Sequence, residues 1–229
     1  MGGNIDCYLD LSSFYSYITI VYLEKNRSKL ESYGITINYI PFFLGGVNVG
    51  SGNKPPWSLP AKAAHGAFDS DRAKKHHGMQ AIAFPDFFPP LTILPQRALC
   101  FIKATYPPST LITTWLSLFS AMWTTPHQNI TLAPTLSSVL ASTKLFSSSQ
   151  VAEILSKAAA SEWKETLIAN TKMALDQGAF GAPWMMVTND QGATEPFFGS
   201  DRWHFVYAFL GVGWQDVEVL VKKDEKAKL

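Results

Sequence analysis

The sequence predicts an α/β fold in which a long helical segment is inserted into a mixed sheet. An apolar, β-branched stretch at residues 5–9 runs directly into a helical pattern that reaches about Ser32, and a second strand-like stretch follows at 35–42. Two more short strand patterns come much later, at 184–187 and 194–198. Because strands lie on both sides of a mostly helical segment, we expect one sheet with a helical bundle inserted between its halves.

The first junction is the centre of this prediction. Asp10 to Ser13 supply turn and N-cap chemistry between the first strand and the first helix. A strand that leads directly into a helix leaves backbone N–H groups and the positive end of the helix dipole at the turn. The pattern fits an ordinary capped junction, and it also fits a site for an anion.

The second strand alternates in polarity, and a parallel strand reached through a helix forms a βαβ unit. Gly45, Gly46, Gly50 and Gly52 predict a loop after it. Proline-rich joints then separate helical patterns, at 60–77, 98–105, 111–123, 135–142 and 149–176.

The last two strands are separated by Asn189-Asp190-Gln191-Gly192, a sequence typical of a hairpin turn. We expect the last helix to begin within Gly199–Arg202 and to run to about Leu210. The predicted division is 1–56 with 177–229 for the sheet-containing domain, and 57–176 for an inserted helical domain.

Composition limits the functional classes. At 229 residues with 47% hydrophobic content, the chain is long enough for one fold with an inserted subdomain. A formal charge of +1 argues against nucleic acid or an acidic membrane as the main partner. No apolar run reaches the roughly 18 residues that a membrane span needs.

The two cysteines, Cys7 and Cys100, are too few for a disulfide framework or a metal site. Both lie in apolar contexts, so we expect buried, unreactive thiols and no bound metal. The first strand begins almost at Met1, so no secretory leader is expected, which favours a reducing compartment.

A proline preceded by small residues, Gly178 to Pro183, comes just before the third strand. In a thioredoxin-like fold, a cis-proline at this position faces a Cys-x-x-Cys turn at the end of the first strand. The corresponding residues here are Ser13-Phe14-Tyr15-Ser16, so the geometry is expected without the dithiol. A dithiol oxidoreductase is therefore excluded.

Several further motifs stand in the same order and at the same spacing as in a known family: Ser51-Gly52-Asn53-Lys54-Pro55-Pro56, Lys62, Asp69 and Phe198-Gly199-Ser200-Asp201-Arg202. With the Ser13 turn and Gly178 to Pro183, they make the chain resemble the kappa-class glutathione transferases, with 2-hydroxychromene-2-carboxylate isomerases as close relatives. The resemblance covers nearly the whole chain. Phe14 stands where the family commonly has proline.

The resemblance implies glutathione as co-substrate, and each part of that ligand has a candidate partner. Ser200 suits the γ-glutamyl carboxylate together with N–H groups at the last helix, and Asp201 suits the adjacent ammonium. Asn53 and Lys62 suit the glycyl carboxylate. The backbone of Ala182, next to Pro183, can pair with the peptide as an added strand.

Ser13 is the candidate catalytic residue, as a hydrogen-bond donor to the ligand sulfur and not as a nucleophile. A charge-assisted hydrogen bond of about 1.5–3 kcal/mol corresponds to a thiol pKa lowered by about one or two units. The resemblance further implies a homodimer in which Asp69 reaches glutathione bound to the partner subunit. Aromatic side chains are expected to line an acceptor pocket for a small hydrophobic electrophile: Phe14, Tyr15, Phe42, Phe43 and Trp57.

Three functions remain open at this point. The first is a transferase or peroxidase whose bound thiolate attacks an electrophile or a hydroperoxide. The second is a glutathione-dependent cis-trans isomerase, and the third is a non-catalytic accessory protein on the same fold. The C-terminal Ala227-Lys228-Leu229 is a variant of the Ser-Lys-Leu peroxisomal signal, so we expect the peroxisome, and otherwise the cytoplasm or mitochondrion.

Overall fold

The structure is a computed structural model that describes residues 2–215 and 217. Its strands are β1 Gly3–Leu9, β2 Ile35–Pro41, β3 Trp184–Thr188 and β4 Thr194–Phe198. Its helices are α1 Phe14–Ser32, α2 Leu44–Ser51, α3 Pro60–His77, α4 Ile93–Thr105, α5 Pro108–Trp123, α6 Ala133–Ser142, α7 Ser148–Ala159, α8 Ser161–Asp176 and α9 Trp203–Leu210.

The four strands form one mixed sheet in the order β2-β1-β3-β4. β1 pairs parallel with β2 and antiparallel with β3, and β3 pairs antiparallel with β4. The predicted hairpin is confirmed, since the amide of Asn189 donates to the carbonyl of Ala193 at 2.9 Å. The carboxyl end of the central strand β1 therefore delivers Asp10 to Ser13 to one edge of the sheet.

The predicted glycine loop after β2 is wrong, because residues 44–51 form α2. Its glycines allow α2 to lie close to α8. A Cβ on Gly46 would lie 3.1 Å from the Thr171 methyl group, and a Cβ on Gly50 would lie 2.5 Å from Leu175. Close packing between two helices thus overrides the low helix propensity of glycine.

Three further boundaries differ from the prediction. The predicted helix at 149–176 is two helices, because Ala160 is extended with φ −73° and ψ 152° between α7 and α8. Helices α4 to α6 begin earlier than predicted, since prolines occupy their first turns, where no intrahelical donor is lost. The last helix, α9, begins at Trp203, after the predicted start.

Side chains of the helical segment bind the carbonyls around the first junction. The Gln96 Nε2 atom on α4 donates to the carbonyls of Leu9 at 2.8 Å and Phe42 at 2.6 Å. The Trp123 indole on α5 donates to the carbonyl of Leu11 at 2.9 Å. All three bonds are buried, so the helical segment fixes the carboxyl ends of β1 and β2. The division at residues 57 and 176 stays a prediction.

Cys7 and Cys100 are both buried and free, as the sequence predicts. Burial raises the pKa of the Cys7 thiol and raises that of Cys100 to about 12. In the described part of the chain, no helix is long and apolar enough to cross a membrane.

Candidate active site

Ser13 is the N-cap of α1, and its hydroxyl makes two hydrogen bonds. The Oγ atom accepts from the amide of Ser16 at 3.1 Å and donates to the carbonyl of Ala182 at 3.1 Å. The side chain is 7% exposed. Since a hydroxyl has a single proton, that proton is directed at Ala182 in this structure.

The chain around Ala182 brings two further predicted residues, Asn53 and Ser200, to the segment that Ser13 contacts. The peptide bond between Ala182 and Pro183 is cis, as predicted. The Asn53 Nδ2 atom donates to the carbonyl of Phe180 at 2.6 Å. The amide of Gly199 donates to the carbonyl of Pro183 at 3.3 Å, which places Ser200 next to the same segment.

Two acidic residues lie near Tyr15. The hydroxyl of Tyr15 donates to the Asp69 Oδ2 atom on α3 at 2.9 Å. The pKa of Tyr15 is raised by burial, then by the hydrogen bond and charge of Asp69, and also by the charge of Asp201. Asp69 and Asp201 therefore place negative charge around Tyr15, which follows Ser13 by two residues.

Lys62 and Ser200 differ in exposure. Lys62 is exposed on α3, seven residues before Asp69 and so about 10 Å along the same helix face. Ser200 is 7% exposed, but it precedes α9 and is not part of it. The predicted helix start within Gly199–Arg202 is therefore wrong, and Ser200 can offer only its own hydroxyl and amide.

The aromatic residues predicted to line an acceptor pocket separate into different regions. Phe14 is buried, and its ring centroid lies 5.2 Å from Tyr15, 6.3 Å from Phe84 and 6.0 Å from Trp123. Trp57 joins this cluster through Phe88, with centroids 5.0 Å apart. Phe84 and Trp57 are about half exposed, so they supply the accessible rings near the turn.

Phe42 and Phe43 do not belong to this cluster. Phe42 is fully buried and packs edge-on against Tyr8 on the sheet. Phe43 precedes α2, and its ring lines a cavity between α2, α4 and α8. The structure thus brings together Phe14, Tyr15 and Trp57, but it places Phe42 and Phe43 elsewhere.

Asp10 belongs to the predicted turn, but the sequence pattern did not reveal that it also binds Leu44 and Thr92 from distant segments. Its fully buried Oδ1 atom accepts from the Ser12 amide at 2.8 Å, the Ser12 hydroxyl at 2.9 Å and the Thr92 hydroxyl at 2.7 Å. Its Oδ2 atom accepts from the Leu44 amide at 2.7 Å. Burial raises the pKa of Asp10 and these hydrogen bonds lower it, with burial the larger effect.

Together these groups place polar side chains and backbone groups around the turn, where no protein thiol stands. Ser13 offers a hydroxyl, Ala182 offers backbone groups, and Asp69 and Asp201 offer negative charge. A peptide-like ligand that carries an ammonium group and its own thiol matches this arrangement. Within residues 2–215 and 217, no group of three or more histidine, cysteine or acidic side chains is arranged to hold a metal ion.

Comparisons with known proteins place the chain among thioredoxin-like proteins. A DSBA-like thioredoxin domain matches residues 4–211. The chain is 30% identical over 210 residues to glutathione S-transferase kappa 1 of Caenorhabditis elegans, with 90% of each protein covered. It is 29% identical over 218 residues to the Homo sapiens protein of the same name, with 92% of each covered.

Two solved structures share the fold at low sequence identity. A 2-hydroxychromene-2-carboxylate isomerase superposes with a TM-score of 0.72 and 20% identity, covering 91% of this chain and 94% of that one. The cytosolic disulfide reductase DsbM from Pseudomonas aeruginosa superposes with a TM-score of 0.58 and 12% identity, covering 91% and 95%.

Proposed function

Because the chain belongs to the DSBA-like thioredoxin domain family, within its kappa-class glutathione transferases, we propose that it activates the thiol of bound glutathione for attack on a small electrophile or hydroperoxide. The observation that supports this most directly is the Ser13 hydroxyl. It caps α1 and lies 3.1 Å from the carbonyl that precedes the cis-proline.

The bonds of Ser13 suggest how ligand binding activates the sulfur. The cysteinyl N–H of glutathione donates to the carbonyl of Ala182, as an added strand would. This replaces the bond from Ser13, whose hydroxyl then turns to donate to the ligand sulfur. The Ser16 amide continues to donate into the Oγ atom and polarises it. The thiolate is thereby stabilised, and its proton is lost to solvent.

The two ends of glutathione find groups of opposite character. Asp201 attracts the γ-glutamyl ammonium, and Ser200 binds the adjacent carboxylate. Asn53 and Lys62 bind the glycyl carboxylate at the other end. The thiolate then forms a bond to an electrophilic carbon as the leaving group departs, and the exposed rings of Trp57 and Phe84 contact a hydrophobic acceptor.

The second candidate is a glutathione-dependent isomerase. It would use the same thiolate, which adds to a conjugated aromatic acid and leaves after rotation about a bond. The half-exposed rings of Trp57 and Phe84 favour a planar substrate of this kind. Activity assays with both substrate classes distinguish the two functions.

We also propose that the protein is a homodimer associating through α3. Of its 18 residues only Ser70 is buried, whereas Phe68 is 66% exposed. Exposed Ala61 and Ala64 lie on the same helix face as Phe68, and a contiguous exposed apolar patch is typical of a protein interface. Asp69 on the same helix would then lie near the interface.

The proposed location is the peroxisome. The signal at Ala227-Lys228-Leu229 lies outside the described residues. A reporter protein carrying these three residues should accumulate in peroxisomes, whereas the same reporter ending in Ala227-Lys228 should be diffuse. A diffuse signal from both would contradict the proposal.

The experiment that tests the function is calorimetric titration with reduced glutathione, followed by ultraviolet thiolate absorbance of the complex across pH. Ser13→Ala should retain binding and raise the pKa of the bound thiol by about one to two units. Ser12→Ala is the matched control, because this neighbouring hydroxyl donates to Asp10. An unchanged thiol pKa in Ser13→Ala would remove Ser13 from its role, and no binding by the native protein would overturn the function.

A further inference from the structure

A cavity lies between α2, α4 and α8, and Ser13 does not line it. It measures about 390 Å³. Apolar groups make most of its wall: Phe43, Gly46, Ile93, Leu167, Ile168 and Leu175. This volume falls within the roughly 300–1,000 Å³ of small-molecule sites in proteins. The cavity is called the α4–α8 cavity below.

All the charged side chains that line this cavity are cationic: Arg97, Lys164 and Lys172. Lys172 is neutralised by Asp176, at 2.6 Å. Among the residues that the structure describes, neither Arg97 nor Lys164 has an acidic partner within salt-bridge distance. The cavity therefore combines an apolar wall with two uncompensated positive charges.

Arg97 also has an unpaired hydrogen-bond donor, in addition to its uncompensated charge. Its Nε atom is buried and has no hydrogen-bond partner in the described structure. A buried donor without an acceptor is unfavourable, and almost all such donors in folded proteins are paired. A carboxylate is a better hydrogen-bond partner for a guanidinium than a neutral acceptor is, because it is charged and its two oxygens can accept two parallel N–H bonds.

We propose that the α4–α8 cavity binds an amphipathic monocarboxylate, a carboxylate group on a flexible apolar chain such as that of a fatty acid. The carboxylate pairs with Arg97 and Lys164. The apolar chain lies against Ile93, Leu167 and Leu175. This site uses no residue of the proposed glutathione site.

The location of the cavity gives the ligand a measurable effect on the fold. Arg97 follows Gln96, which holds the carbonyls at the ends of β1 and β2. On the opposite wall, the Thr171 hydroxyl accepts a hydrogen bond from the Phe43 amide at 3.0 Å. A ligand that bridges these walls binds the folded state only, and it raises the unfolding temperature.

The test is calorimetric titration of the full chain with dodecanoate, accompanied by thermal unfolding. Dodecanol and dodecyltrimethylammonium serve as uncharged and cationic probes of the same chain length. The variants are Arg97→Gln and Lys164→Glu, with Lys25→Gln as control, because Lys25 is exposed on α1 and does not line the cavity. Lys164 is also exposed, so its variant tests the site even if Arg97→Gln fails to fold.

Dodecanoate should bind and raise the unfolding temperature, and Arg97→Gln and Lys164→Glu should each weaken binding by about tenfold or more. Lys25→Gln should bind as the native protein does. Equal binding of all three probes would overturn the proposal, since it would show unselective apolar binding. Absence of dodecanoate binding, or binding unchanged in both cavity variants, would overturn it as well.

Discussion

Asp10 shows how one side chain connects distant parts of the chain. Its carboxylate is fully buried and accepts bonds from Ser12, from Leu44 at the start of α2, and from Thr92 before α4. Asp10 thus bonds residues at or just before the first turns of α1, α2 and α4. A buried carboxylate is unfavourable unless donors surround it, and here these four bonds make the turn specific.

Replacement of Asp10 by asparagine should lower the free energy of unfolding by about 1–3 kcal/mol at neutral pH. Asparagine keeps one oxygen for Ser12 and Thr92, but its NH₂ group would face the Leu44 amide and leave that partly buried donor unpaired. Urea unfolding of the native protein and of Asp10→Asn measures the difference. Asp86→Asn, an exposed acid, is the control and should change stability by less than about 0.5 kcal/mol.

The difference in the free energy of unfolding between the native protein and Asp10→Asn should also depend on pH. The pKa of Asp10 in the folded protein is raised above its ordinary value of 3.8. As the pH falls, the folded state therefore binds this proton at a higher pH than the unfolded state does. The resulting gain in the free energy of unfolding is complete below pH 3.8, and it is lost as the pH rises through the raised pKa. The stability gap between native protein and Asp10→Asn should widen on acidification across this window. A constant or narrowing gap would contradict the raised pKa.

The sequence predicts Ser13 but not its neighbours in space. A strand followed by turn residues and a helical pattern is a local signal, so the order of residues limits the N-cap to Ser12 or Ser13, and the structure assigns it to Ser13. Thr92, Gln96 and Trp123 reach the turn from far along the chain, and nothing in their own segments indicates this. Their contacts depend on how the helices pack, which no short pattern contains.

Among the elements, α2 shows why a composition-based prediction fails. Four glycines between residues 45 and 52 predict a loop, yet three of them lie in a helix. The close approach of α8 requires small residues, and packing outweighs propensity. Proline misleads in a similar way, because the prolines that begin α5 and α6 favour helix starts as well as joints.

Two alanine substitutions test this account of α2. Gly66→Ala on α3 meets nothing within 4 Å and should raise the free energy of unfolding by about 0.5–1 kcal/mol. Gly46→Ala should instead lower it by about 1 kcal/mol, since the new methyl group lies 3.1 Å from Thr171. Thr171 cannot move easily, because its hydroxyl bonds both Phe43 and Leu167. Shifts of the same sign in the two variants, measured by urea unfolding, would contradict close packing of α2 on α8.

For the whole molecule, the sequence predicts the topology of the sheet better than the shape of its surface. The pairing of β1 with β2 and of β3 with β4 follows from a βαβ unit and a hairpin, both of which have local signals, whereas the pairing of β1 with β3 comes from the structure. No local signal predicts which residues of α3 are exposed, because its mixture of charged residues and Phe68 fits either a solvated helix or an interface. Only the structure shows that Phe68 is exposed.

If α3 forms the interface of a homodimer, the native protein should sediment at twice the 25.3 kDa of one chain. Phe68→Glu should shift it toward the monomer, because a carboxylate buried without a partner opposes association. Phe205→Glu is the control, since Phe205 is 55% exposed on α9 and not on α3. A monomeric native protein, or a Phe68→Glu variant that remains dimeric, would contradict the interface.

The same variant links assembly to ligand binding. If Asp69 reaches glutathione bound to the partner subunit, the monomer loses one acidic contact to the γ-glutamyl ammonium. Phe68→Glu should then bind glutathione about tenfold more weakly by calorimetry, although it alters no residue of the site. Undiminished affinity in a monomeric variant would show that each subunit has a complete site and that the role of Asp69 is to hold Tyr15.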